Sequence, residues 1–122
     1  MKPLDTAHRM LAVATTATLL ALASGQAFAH GDEAVARAQE AIQDYRYDQA
    51  LAHYREAAQL GNRFAQRTLA MMLLKGEALY GKEVAADRTE AIKWFTAAAE
   101  KGCGVSKFML TKLKAGSAPV RS

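Results

Sequence analysis

Cys103 is the whole thiol content of the chain, so no framework of intramolecular disulfides staples this fold. Proline is almost as scarce. Pro3 and Pro119 lie near the two ends, and nothing between Leu4 and Ala118 carries the residue that most strongly breaks helices. Aromatics make up 7% of the 122 residues, and no run of five like charges occurs. The leading apolar run, Met10–Ala23, stops at 14 residues, short of the roughly 20 that a membrane-spanning helix needs. Also missing are a phosphate-binding glycine loop, a Gly-x-Ser-x-Gly turn and paired carboxylates at a fixed spacing, so no common catalytic motif is in place.

What is present is the composition of a folding chain. It is 51% hydrophobic and 23% charged, and its length suits one domain. Alanine, leucine, glutamine and lysine dominate between the two prolines, which favours helix throughout.

The first 29 residues read as a cleavable export signal. Lys2 and Arg9 supply a positive start, Met10–Ala23 the apolar stretch, and Ala27-Phe28-Ala29 the small-x-small pattern of a signal-peptidase site, with the cut after Ala29. A retained anchor is the competing reading, and the shortness of the run argues against it. No Arg-Arg pair and no cysteine at the cut point to twin-arginine export or lipidation. The expectation is a periplasmic or secreted protein with no stable membrane span once the signal is gone. Losing Lys2, Arg9 and Asp5 takes the formal charge from +4 to +3. That mildly basic balance suits an acidic partner, and the interspersed signs argue against nucleic acid.

The strongest internal feature is self-similarity at a shift of 41 residues. Ala50-Leu51-Ala52-His53-Tyr54-Arg55-Glu56-Ala57-Ala58-Gln59-Leu60-Gly61 then lies over Ala91-Ile92-Lys93-Trp94-Phe95-Thr96-Ala97-Ala98-Ala99-Glu100-Lys101-Gly102. The register continues past the glycines, with Phe64 over Val105, Ala65 over Ser106, Leu69 over Leu110 and Met72 over Leu113. Each unit reads as helix, tight turn, helix. Ala50, Leu51, Tyr54, Ala57 and Ala58, and again Ala91, Ile92, Phe95, Ala98 and Ala99, fall at helical spacing on one buried face. Gly61 and Gly102 end these helices, and Asp87-x-x-Glu90 has the spacing of a capping box. The expected helices are Asp32 to Asp44, Tyr47 to Leu60, Arg63 to Lys75, Arg88 to Lys101 and Val105 to Lys114. Phe64, Thr68, Leu69, Met72 and Leu73 form the expected core face of the third, with Met71 and Met109 also read as packing. Trp94 and Phe95 are adjacent and must point different ways.

At these residues the chain resembles the Sel1-like repeat family, relatives of the tetratricopeptide proteins. The matching positions are Ala65, Leu69, Gly76, Gly81, Val84, Asp87, Ala91, Trp94, Phe95, Ala98, Ala99 and Gly102. The central unit, residues 62–102, matches best. The resemblance implies an all-α, short α-solenoid of stacked antiparallel helix pairs, about two and a half repeats over residues 30–116, followed by a C-terminal tail at 117–122. Gly76–Val84 is longer than the family's compact Gly-x-Gly-Val loop, and Leu79 and Tyr80 are expected to be exposed there. Such arrays generally need about three repeats and polar ends, so a capping helix or a second copy is expected to complete the stack.

Family members commonly act as adaptors, which implies a non-enzymatic module that binds a peptide or protein. Arg63, Gln66, Arg67 and Lys75 on the first helix of the best-matched unit are the expected contact residues, joined by Leu79 and Tyr80 of the long loop. No catalytic residue, cofactor or metal is expected. Two alternatives stay open. One is a metal-handling or redox protein, built on an amino-terminal His30 with His53 or on Cys103 between Gly102 and Gly104. A helix N-terminus activates thiols, although Cys103 reads first as a small residue in a turn. The other is a structural homodimer that completes its own stack.

Overall fold

The computed structural model describes residues 31–117, and all regular structure in them is helical. The export signal with its cut after Ala29, His30, and residues 118–122 of the tail lie outside the described residues. Helix α1 covers residues 31–43. It is followed by α2 (Tyr47–Gln59), α3 (Arg63–Lys75), a single turn α4 (Glu77–Tyr80), α5 (Arg88–Glu100) and α6 (Gly104–Gly116). Five of these lie within two residues of the spans expected from periodicity. The exception is α4, which sits inside the long loop.

Alanine dictates how the helices meet. Ala50, Ala57 and Ala58 of α2, Ala65 and Ala70 of α3, and Ala91 and Ala98 of α5 are all buried, so the helix axes approach closely. Tyr54, Leu69, Met72, Val84 and Phe95 fill the space between them. Helix α3 is central and packs on both α2 and α5, while α6 packs on α5. The short α2–α3 and α5–α6 connections place each pair side by side and antiparallel. No helix among the described residues is long and apolar enough to cross a membrane.

The two tight turns are built alike. Gly61 N–H donates to Ala58 O and Asn62 N–H to Ala57 O, at 3.0 and 3.1 Å; Gly102 N–H donates to Ala99 O and Cys103 N–H to Ala98 O, at 2.9 and 3.1 Å. Both glycines adopt the left-handed backbone, with φ of 87° and 84°, which closes the last turn of each helix with paired bonds. The 41-residue sequence shift is thus also a shift in hydrogen-bond pattern.

Several core assignments need correction. Ile92 is 36% exposed, whereas its counterpart Leu51 is half-buried. Leu51 packs against the core, and Ile92 borders an apolar groove beside Leu110 and Leu113, where α6 is the last described helix. Phe64 is 41% exposed and so leaves the core face expected of it. Leu51, Trp94 and Ala99 are only partly buried. Met71 and Met109 pack partly buried against the core. Phe95 is fully buried beside the half-buried Trp94, so the two point different ways as expected.

Asp87 caps α5 as anticipated: its Oδ1 accepts from Glu90 N–H at 2.9 Å. The box is not reciprocal, because Asp87 N–H donates to Leu73 O at 2.8 Å and the Glu90 carboxylate is engaged elsewhere.

Candidate functional site

The six expected contact residues do not form one surface. Lys75 stands at the opposite end of α3 from Arg63, roughly 18 Å away at the usual helical rise. Leu79 and Tyr80 are at that far end too, on α4. Leu79 is 60% exposed, as expected. Tyr80 is instead half-buried, its ring edge-on to Tyr47 at 5.3 Å between centroids, which holds α4 against the start of α2. Burial raises its phenol pKa, and neighbouring Tyr47 adds to the effect.

Gln66 is a clear correction. It is 4% exposed, and its Nε2 donates to Ala58 O at 3.2 Å, occupying a carbonyl near the C-terminus of α2. It serves the α2–α3 packing, with its side chain turned into the core rather than outward.

Arg63 and Arg67 do come together, one turn apart on α3. Two contacts stitch the tight turns to each other and place Arg63: its Nη1 donates to Lys101 O at 3.0 Å, and the Lys101 ammonium donates to Gly61 O. Arg67 lies over the exposed Phe64 ring, its guanidinium carbon 5.2 Å from the ring centre, a stacked cation–π geometry. With Cys103, these residues line an open recess of about 130 Å³ between α3 and the start of α6. By sequence, Phe64 belongs to the expected core face of α3 and Cys103 to a turn, apart from the arginines. The spacing of Arg63, Phe64 and Arg67 on one helix was readable, but the approach of Cys103, about forty residues on, depends on how α6 folds back.

Cys103 is buried and unpaired, and it occupies the N-cap of α6 without a side-chain cap bond. Its thiol pKa is lowered from the ordinary value of 9.0, first by the Ser106 hydroxyl and then by the Ser106 and Val105 amides and the Arg67 charge, with burial opposing. His53 is half-buried, with Nδ1 3.8 Å from Glu56 Oε2. Among the described residues no group of three or more histidine, cysteine or acidic side chains could hold a metal ion.

Comparison with protein-family models, curated proteins and solved structures returns no match to this chain.

Proposed function

We propose that this chain is an exported Sel1-like helical-repeat protein that binds a peptide or protein and catalyses no reaction. The repeat reading is supported by the equivalent hydrogen bonds of the Gly61 and Gly102 turns, and the export reading by the pattern of residues 1–29.

One observation carries the binding function: the exposed Arg63 and Phe64 and the half-buried Arg67 form a basic-aromatic surface around an open recess. Exposed aromatic and arginine side chains are the residue types that most often anchor interfaces. The chemistry they recognise is an acidic segment with an apolar side chain, whose carboxylates meet the guanidinium groups while the apolar group covers Phe64. The test is selection of binders from a random peptide library, followed by comparison with the charge-reversed double variant Arg63→Glu/Arg67→Glu.

A second reading is a homodimer that completes the stack. Val105 and Phe108 on α6 are 50% and 58% exposed, and Ile92, Leu110 and Leu113 line an apolar groove between α5 and α6. Sedimentation of the full chain over a concentration series separates a dimer from a monomer.

A further inference from the structure

We propose that the recess between α3 and the start of α6 is a thiol-exchange site, where Cys103 takes up one half of a small disulfide that carries carboxylates. This goes beyond the partner-binding reading and does not rest on it, since a thiol reaction and peptide affinity are measured separately.

The preceding unit shows what this position does. Asn62 and Cys103 are equivalent N-caps with nearly the same backbone, φ and ψ of −67° and 113° against −72° and 106°. Asn62 Oδ1 accepts from Ala65 N–H at 2.9 Å. The corresponding amide at α6 is that of Ser106, and the neutral thiol leaves it without a side-chain cap bond. A sulfur anion is the acceptor this position lacks.

Ser106 is the second observation. It is fully buried, and its hydroxyl has no hydrogen-bond partner. An unpaired buried hydroxyl is costly and calls for an explanation. It lies three residues along from the Cys103 N-cap of α6 and favours the ionised thiol more than any other group does. The hydroxyl is a donor that gains its acceptor when the thiol loses its proton. Together with the free amides of the first turn, it stabilises the nucleophilic state.

The walls of the recess select the reactant. Arg63 and Arg67 offer guanidinium groups to carboxylates, and Phe64 offers an apolar face beside the sulfur. An acidic peptide-like disulfide such as oxidised glutathione carries both kinds of group. In the exchange, the Cys103 thiolate attacks one sulfur of the disulfide, and its electron pair forms the new S–S bond. The old S–S bond breaks, and its pair leaves on the second half, which takes up the proton that Cys103 released. One disulfide is consumed and one is formed, so no further oxidant is required.

The test treats the full-length protein with oxidised glutathione and with the uncharged 2-hydroxyethyl disulfide, following the Cys103 adduct by intact mass and peptide mapping. The expected result is a mixed disulfide on Cys103 and a preference for the anionic reagent of about tenfold over that of a free cysteine peptide, the size two partly exposed charge pairs supply. Arg63→Gln/Arg67→Gln removes the preference, while Ser106→Ala slows both reagents and moves the midpoint of the pH–rate profile upward. Circular dichroism checks that the variants keep their helices. Where a variant does not fold, the reagent preference and pH midpoint of the unaltered chain decide. No adduct, equal preference for the two reagents, or a midpoint at the ordinary thiol value overturns the proposal.

Discussion

Arg55 Nη2 contacts both carboxylate oxygens of Glu90 at 2.9 Å, with Nε adding a bond to Oε1 at 3.2 Å. Trp94 Nε1 donates to the same Oε1 at 3.2 Å, so one carboxylate ties α2 to α5 and orients the tryptophan. This is why Glu90 does not close the capping box. Because the pair is partly exposed, its coupling is expected to be about 1 kcal/mol at low salt and smaller at high salt. A double-mutant cycle with Arg55→Met and Glu90→Gln in urea measures it. Trp94 fluorescence is the readout, since it is the sole tryptophan, and Glu90→Gln alone is expected to shift its emission.

Gly76 links α3 to α4 with φ of 51° and ψ of −137°. A Cβ placed there would lie 2.5 Å from the backbone N and the Cβ of Ala86. Gly76→Ala is therefore expected to lose about 2 kcal/mol or more from backbone strain and the clash combined. Gly116→Ala, at an open helical position, is expected to stay within about 0.5 kcal/mol of the parent. Urea denaturation of the two variants side by side checks the contrast.

Substituting Cys103→Asn installs at α6 the cap that Asn62 makes at α3, and an increase of about 1 kcal/mol is expected at neutral pH. The thiol also gives the parent chain a pH dependence with a definite sign. Because its folded pKa is lowered, both states are protonated well below that value and the group contributes nothing. As pH rises through the folded value, the folded state ionises first and stability increases, levelling off once the unfolded thiol also ionises near its ordinary value of 9.0. Denaturation midpoints across this range are expected to rise in the parent and lose that component in Cys103→Ala.

The helix boundaries were legible where chemistry marks them. Asp87 opens α5, and Gly61 and Gly102 close their helices. The single turn of α4 was not legible, because four residues carry no period. Gln66 was misplaced for a different reason: what makes its burial tolerable is the Ala58 carbonyl, a partner supplied by another helix. Ile92 shows the limit of repeat logic. Equivalent positions share a local conformation but not the same neighbours, and Ile92 borders an open groove beside α6, the last described helix. Half of the basic-aromatic surface was readable from the arginine spacing on α3, whereas the recess depends on long-range packing against the start of α6.

Export is expected to remove residues 1–29. Expression of the full chain in a bacterial host, followed by N-terminal sequencing of the envelope fraction, is expected to begin at His30. Retention of Met1 or Lys2 at the terminus would assign this segment an anchoring role.

The most direct test of the account is the affinity of library-selected peptides for the unaltered chain and for Arg63→Glu/Arg67→Glu, measured by calorimetry at two salt concentrations. The account predicts that enriched peptides combine Asp or Glu with an apolar or aromatic residue and bind more weakly at high salt. It also predicts a loss of at least about tenfold in the folded variant, since each arginine is both removed and reversed in charge. Failure to enrich any sequence, or peptides that bind parent and variant equally well, would contradict it.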